Sequence, residues 1–290
     1  MQVNKQLSAS LLAIAAFCMS NATATTPEPG RIVSLNPCID AILVELVPHE
    51  RIAAISHYSL DPYRSTIAAQ VQRLPVTYET AEEVVALRPD LVLAGRHSAI
   101  ATRNALRRVG IRFELFDVPD SIDESLEQIR RMAALLGRSP QGELLVAKIE
   151  RSLSAARPPE NYKTLTAVVY QPGGLTAGSR TVTGELMAVV GLRNVAARYG
   201  VQTYRPLPLE LLISAPPQIL LVGETSAGAP TQAERVVHHR ALRALQSQMQ
   251  RQAFPARLLY CSGPTMIDAL DALVAARENA QRHLAARAIR

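Results

Sequence analysis

Apolar and polar positions along the chain alternate between two rhythms, and the alternation runs twice. In the first half, Arg31-Ile32-Val33-Ser34-Leu35 is a short apolar run ended by Asn36-Pro37 and predicts a strand. Asp40–Val47 predicts a helix and Arg51–Ser56 a second strand. A polar, tyrosine-bearing loop follows from His57 to about Tyr78. Thr80–Leu87 predicts a short helix, with Thr80 as N-cap and Glu83 three residues on, the spacing of a capping box. Pro89-Asp90 stops it, and Leu91–Ala94 predicts a buried strand. A helix from about Ala99 to Val109 ends at Gly110. Arg112–Phe116 predicts a strand, and Ser121, paired with Glu124, opens a helix that ends near Gly137.

This alternation predicts an α/β fold with a parallel sheet covered by helices. Ligands bind such sheets at the loops that follow the carboxyl ends of the strands. Those loops are Asn36-Pro37-Cys38, His57-Tyr58-Ser59 and Gly95-Arg96-His97. Next, Pro140–Ala156 is an uninterrupted helical pattern with Leu144, Leu145, Ile149 and Leu153 among its apolar positions. Arg157-Pro158-Pro159 ends it sharply. One long helix between two alternating regions predicts a rigid connector, so the chain divides into a first lobe over 31–138, a connector over 139–158 and a second lobe over 161–290. The second lobe reads as a strand at Thr164–Tyr170, a loop at Gln171–Gly174 and a helix at about Gly184–Val190. A short helix at Leu207–Ile213 and a buried strand at Gln218–Val222 follow. Residues 231–250 predict a polar helical stretch, Arg257–Cys261 a last strand, and Pro264 onward a C-terminal helix.

The halves match each other. Glu82 is followed seven residues later by Pro89 and then Asp90-Leu91-Val92-Leu93; Glu210 is followed seven residues later by Pro217 and then Gln218-Ile219-Leu220-Leu221. A fainter echo pairs Arg51-Ile52-Ala53-Ala54 with Arg193-Asn194-Val195-Ala196-Ala197. A duplicated unit puts one glutamate on an equivalent short helix in each lobe. Each Glu alone is explained by a negative charge in a first helical turn, a favourable place worth up to about 1 kcal/mol. As a matched pair flanking a cleft, they predict two fixed carboxylates that capture arginines of a partner.

Composition narrows the classes. Lys5, an apolar core over Leu11–Met19 and the small-x-small Ala22-Thr23-Ala24 predict a secretory signal peptide over 1–24, cleaved near Ala24. Phe17 before Cys18 argues against a lipid-attachment site. Removal would leave about 265 residues, which at roughly 150 per domain predicts two domains. Hydrophobic residues make up 48% of the 290, enough for two cores, while aromatics are 4% and Trp is absent, so a pocket cannot rely on indole stacking. The net charge of +6 is scattered along helices, and without basic tracts interleaved with aromatics it predicts a solvated surface and no nucleic-acid partner. Two cysteines outside the signal, Cys38 and Cys261, have three fates open: a bond between lobes, contact with a ligand metal, or burial as separate thiols, the commonest fate of an isolated Cys. No Cys/His spacing predicts a protein-bound metal, and no resident cofactor is expected.

The segments Arg31–Pro37, Ser56-His57-Tyr58-Ser59 and Glu82–Val92, together with the mid-chain helix, resemble the periplasmic binding proteins for cobalamin and ferric siderophores, and most resemble the cobalamin binders. The resemblance implies two Rossmann-like lobes joined by a single long rigid helix, with the ligand between them. It implies a monomer that delivers a small molecule to the permease of an ABC importer and touches the membrane only through that permease. Glu82 and Glu210 match the family's two permease-docking glutamates. A corrinoid is the first ligand expected, a ferric siderophore or haem the second. Tyr58 matches a cleft aromatic, Tyr204 falls where a second-lobe Trp would sit, and Gly95 replaces an aromatic ahead of a matching Arg96.

Read from the residues, Tyr58 stacks on a flat ligand or anchors its loop through the hydroxyl, and Arg96 pairs with an acidic ligand group or with the surface. Cys38 and Cys261 sit close to the expected cleft. The His238-His239 pair lies on a polar helix and predicts solvated histidines. No Gly-x-Gly-x-x-Gly after a strand, no phosphate loop and no Gly-x-Ser-x-Gly elbow occurs, and Gly173-Gly174 alone is a weak phosphate cradle. No acid/base pair stands out, so an enzyme is not expected.

Overall fold

The computed structural model describes residues 28–223 and 231–288. The expected signal peptide and its cleavage point lie outside the described residues. The first half runs β1 (Ile32–Ser34), α1 (Pro37–Leu46), β2 (Ile52–Ser56), β3 (Val76–Thr77), α2 (Ala81–Ala86), β4 (Leu91–Gly95), α3 (Ile100–Arg108), β5 (Phe113–Phe116) and α4 (Ile122–Leu135). Helix α5 (Ser139–Ala155) follows. The second half runs β6 (Leu165–Tyr170), β7 (Leu175–Ala177), α6 (Val182–Val189), β8 (Leu192–Asn194), β9 (Tyr204–Pro206), α7 (Leu209–Ser214), β10 (Ile219–Val222), α8 (Gln232–Val237), α9 (Arg240–Ala244), β11 (Gln250–Ala253), α10 (Arg257–Tyr260) and α11 (Thr265–Ala288).

Two parallel sheets result. The first has the order β3-β2-β1-β4-β5 and the second β11-β10-β6-β8, with β7 and β9 forming a small antiparallel pair. Read in reverse, the second sheet is β8-β6-β10-β11, the same topology as β2-β1-β4-β5. The duplication seen in the Glu-to-Pro segments is therefore a duplication of strand rank: β4 pairs with β1, and β10 pairs with β6. The residue after each Pro pins the neighbouring strand. Asp90 Oδ2 accepts from the N–H of Gly30 and Arg31 at 2.9 and 2.8 Å, and Gln218 Oε1 accepts from the N–H of Thr166 at 2.9 Å. The four-residue cores Leu91–Ala94 and Ile219–Val222 are buried throughout, as strands covered on both faces must be.

Helix starts follow their caps. Pro37 at N1 begins α1 three residues earlier than the apolar periodicity indicates, with Asn36 Oδ1 accepting from the N–H of Cys38 at 2.9 Å. Thr181 caps α6, so that helix starts at Val182. Thr80 caps α2 by accepting from the N–H of Glu83, but the capping box expected there is only half formed: the Glu83 carboxylate turns back to the N–H of Tyr78 and the hydroxyl of Thr77, each at 2.8 Å. The loop after β2 contains the two-residue strand β3.

The C-terminal region departs most from the periodicity. Residues 231–250 hold two short helices, and the polar run Gln250-Arg251-Gln252-Ala253 is a strand paired in parallel with β10. It lies at the sheet edge, where one face needs no apolar residues. Arg257–Cys261, expected as the last strand, forms a single helical turn at Arg257–Tyr260 instead. Four apolar residues in a row do not distinguish a buried strand from one buried helical turn.

Helix α5 packs against α4, α11 and α1. Gly142 permits the closest of these approaches, since a Cβ there would lie 2.4 Å from the Cβ of Ala133 on α4. The buried Arg277 of α11 donates to the carbonyls of Ala156 and Val190 at 3.0 and 3.2 Å, closing the C-termini of α5 and α6 with one cation.

Candidate functional site

All five strands of the first sheet end at one cavity of about 270 Å³. Leu35, Tyr58, Glu79, Arg96 and Asp117 line it from the segments after β1, β2, β3, β4 and β5. The opposite wall comes from the second half: Val182, Thr183 and Leu186 of α6, Tyr204 of β9, and Leu258–Ser262 in and after α10. The cavity is thus a cleft between two lobes, placed where strand-end loops collect. At about 270 Å³ it lies just below the usual range of ligand pockets, about 300–1,000 Å³.

The cleft brings together all five residues expected to touch a ligand. Tyr58 sits in the one-turn helix His57–Leu60 with 39% of its surface exposed. Its ring lies 4.0 Å from that of His57, which in turn stacks on Tyr78 at 4.6 Å, and the Arg64 guanidinium lies 5.2 Å from the Tyr58 centroid. The Tyr204 hydroxyl lies 3.5 Å from the Thr183 hydroxyl. Arg96 engages Asp117 through two guanidinium nitrogens, which holds the Asp117 carboxyl below its usual range. Arg96 therefore reaches the cleft already paired. Gly95 is explained by the cap of α1: a Cβ there would stand 3.1 Å from Asn36 Nδ2, so the Asn36 side chain occupies the space over it.

Cys38 and Cys261 are bonded to one another as a disulfide, with 5.1 Å between their Cα atoms and 223 residues between them in sequence. Of the three fates the sequence left open, separate thiols and thiolate ligands of a metal are both ruled out by this bond. Both residues still line the cleft. The bond joins the first turn of α1 to the segment that enters α11, and two hydrogen bonds follow the same path: the N–H of Gly263 to Ser125 Oγ at 2.8 Å, and Thr66 Oγ1 with Thr265 Oγ1 at 3.2 Å. The second lobe's last segment is therefore tied to the first lobe directly beneath the cleft.

Behind the wall lies Asp40, on α1 and fully buried. Its Oδ2 accepts from the Ser56 N–H at 3.0 Å and from the Ser59 hydroxyl at 2.6 Å, so it holds both ends of the turn that presents Tyr58. Burial pushes its carboxyl up to about 8, against the opposing pull of the serine hydrogen bonds. Sequence periodicity hides Asp40, because it falls within an apolar helix, and Glu79, because a two-residue strand leaves no pattern.

Glu82 and Glu210 lie outside the cleft, both exposed, each at the second position of a six-residue helix. Two residues after each, Val84 and Leu212 are fully buried and pin the helix. Of the other features singled out in the sequence, His239 caps α9 through Nδ1, which accepts from the Ala241 N–H at 3.3 Å, and both His238 and His239 are exposed. Among the described residues, no cluster of metal-ligating side chains occurs. Gly173 and Gly174 both have positive φ in a tight turn, and Gly174 packs so closely that a Cβ would meet the Leu207 carbonyl at 2.8 Å. Their role is backbone geometry.

The family model described as periplasmic binding protein matches residues 32–251, which span both sheets and the cleft. The chain belongs to the periplasmic binding protein family. Among curated proteins, a cobalamin-binding protein of Halobacterium salinarum is 28% identical over 200 residues, covering 68% of this chain and 54% of that protein. An uncharacterized ABC transporter substrate-binding lipoprotein, YvrC of Bacillus subtilis, is 25% identical over 59% of this chain and 56% of its own length. The chain thus spans about half the length of the curated relatives it matches. Among solved structures, the periplasmic heme-binding protein RhuT from Roseiflexus sp. RS-1 in apo form superposes with a TM-score of 0.69 at 26% identity, over 86% of this chain and 98% of that one. The periplasmic vitamin B12 binding protein BtuF of Vibrio cholerae superposes with a TM-score of 0.65 at 20% identity, over 88% and 98%, a likeness of fold. The two-lobed α/β architecture is shared with these proteins.

Proposed function

We propose that this chain is the exported, periplasmic solute-binding component of an ABC importer, working as a monomer, that holds a corrinoid between its lobes and delivers it to a permease. The observation that carries this reading is the cleft itself, lined by the strand-end loops of one lobe and by α6, β9 and α10 of the other. The cobalamin-binding relative supports the corrinoid, and the ABC transporter relative supports the importer. In this reading Tyr58 and Tyr204 face the ligand from opposite lobes, Arg96 and Asp117 border it, and the disulfide forms part of the floor. The site is a binding site: it holds a ligand and releases it unchanged.

Glu82 and Glu210 would meet basic residues of the permease. Each is exposed on a short helix anchored by a buried neighbour, so the carboxylates project at fixed spacing at little ordering cost. The double variant Glu82→Ala, Glu210→Ala is expected to bind cyanocobalamin within about twofold of the wild type, a difference under 0.5 kcal/mol, while losing uptake in a reconstituted importer. Normal uptake by that variant would refute the docking role.

A second reading, haem or another ferric ligand, is favoured by one feature. Tyr58 presents a phenol to the cleft beside the Arg64 cation, a group able to bind iron as phenolate. Calorimetric titration of the purified protein with cyanocobalamin, haemin and a siderophore panel decides between the two.

A further inference from the structure

Glu79 lines the cleft, and ligand capture by Tyr58 and Tyr204 makes no use of it. Its φ is +69°, in the left-handed region that residues with a Cβ seldom adopt. Neighbouring bonds hold it there. Its N–H donates to Thr77 Oγ1 at 3.0 Å, and its carbonyl accepts from Thr102 Oγ1 at 3.2 Å. Thr77 and Tyr78 are themselves bound to the Glu83 carboxylate. Non-glycine residues held in such conformations gather at ligand sites, where the surroundings fix a side chain in a working position.

One carboxylate oxygen of Glu79 accepts from the Ser56 hydroxyl at 2.7 Å. Among the described residues, no cation pairs with the Glu79 carboxylate. The guanidinium that lines the same cleft, Arg96, is already engaged by Asp117. The charged groups among the cleft's lining carboxylates and guanidinium are Glu79, Asp117 and Arg96; Arg96 is taken by Asp117, and the Arg64 guanidinium lies over the Tyr58 ring, so Glu79 is the lining carboxylate with no cation of its own. Ligand groups that reach Glu79 are therefore favoured when they donate hydrogen bonds and disfavoured when they are anionic.

We propose that Glu79 is the specificity-determining residue of the cleft, selecting ligands whose rim carries amide N–H donors and rejecting those whose rim carries carboxylates. The inference rests on the corrinoid reading: the corrinoid ring is ringed by primary amides, whereas haem presents carboxylates. The rival role for Glu79 is purely structural, holding the turn through Ser56. Glu79→Gln separates the two, since glutamine keeps the size of the side chain and an oxygen that accepts from Ser56 but removes the charge.

The test uses two probes with the same ring, dicyanocobinamide, which carries amides, and dicyanocobyrinic acid, which carries carboxylates. Both are titrated calorimetrically into the wild-type protein and into Glu79→Gln. The wild type is expected to favour the amide probe, and Glu79→Gln to narrow that preference by roughly tenfold, chiefly by binding the carboxylate probe more tightly. A wild type that binds both probes equally, or a Glu79→Gln preference within twofold of the wild type, overturns the role of Glu79 and leaves the corrinoid reading standing. A folded wild type that binds neither probe nor cyanocobalamin overturns the corrinoid reading, and this inference with it.

Discussion

The helices that carry Glu82 and Glu210 have the same length and lead into strands of the same rank, yet the two lobes hold them by different chemistry. In the first lobe, Thr80 caps the start of α2, Glu83 binds back to Thr77 and Tyr78, and the Arg31 guanidinium closes the far end on the Leu87 carbonyl at 2.7 Å. In the second lobe, Pro208 stands at the N-cap of α7 with no side-chain bond, and the Tyr199 hydroxyl closes the far end on Ala215. The strand pin is a charged carboxylate at Asp90 and a neutral amide at Gln218. What the lobes share is the strand order, the exposed glutamate and the fully buried residue two positions on. The lobes agree in strand order and in the exposed carboxylate and differ in their capping groups, since any donor or acceptor of suitable reach satisfies a helix end.

The lobes also differ in how they reach the cleft. The first contributes strand-end loops, the second mainly α6, β9 and the segment after α10, which is bonded to the first lobe through Cys38–Cys261. Replacing both cysteines with serine removes a cross-link spanning 223 residues. The expected loss is about 5 kcal/mol on the chain-entropy account. Urea unfolding under non-reducing conditions should show that loss, and the single transition should separate into two as the lobes uncouple. A single unshifted transition would mean that α5 and the hydrogen bonds at Ser125 and Thr66 alone keep the lobes together.

Asp40 offers a test confined to the first lobe. Its folded value of about 8 lies above the ordinary carboxyl value of 3.8, so the folded state holds a proton that the unfolded chain releases. Stability from this group is fully present below pH 3.8 and is lost as pH rises toward and through 8. Asp40→Asn keeps a neutral acceptor for Ser56. It should match the wild type near pH 4 and exceed it by several kcal/mol at pH 8 to 9, measured by urea midpoints across that range. Equal pH dependence in the two proteins would show that water or a rearranged serine solvates the carboxylate.

The smallest effect bears on the caps. Thr80→Ala should cost about 1 kcal/mol, the usual worth of a lost N-cap. Alanine in place of Pro208, which makes no capping bond, should leave the second lobe's stability nearly unchanged by the same denaturant measurement. Equal losses at both positions would mean that α7 depends on a backbone constraint at Pro208 as much as α2 depends on its hydroxyl.

The central strands of both sheets are legible because covered parallel strands are written as unbroken apolar runs bounded by Pro, Asn or Gly, as at Leu91–Ala94 and Ile219–Val222. Between residues 250 and 261 the pattern is silent on β11 and misleading at Arg257–Cys261, for the opposite reasons. β11 is a polar edge strand with no periodic signature, and α10 is too short for a helical period to show. In the cleft, Tyr58, Arg96, Tyr204 and the two cysteines were legible from strand-end position and from resemblance to the family. Glu79 and Asp117 were not, because a cleft-lining carboxylate in a loop looks like any solvated one.

The sequence by itself determined the alternation of strands and helices in each lobe and the repeat that places Glu82 and Glu210 alike, since both follow from local patterns of apolar runs, prolines and capping residues. Only the tertiary structure decided which side chains share the cleft, that Arg96 arrives there already paired, that Cys38 meets Cys261, and that a buried Asp40 holds the Tyr58 turn. Those facts depend on distances between segments far apart in the chain, and on burial that raises the cost of a charge. Neither quantity is carried by any local stretch of residues.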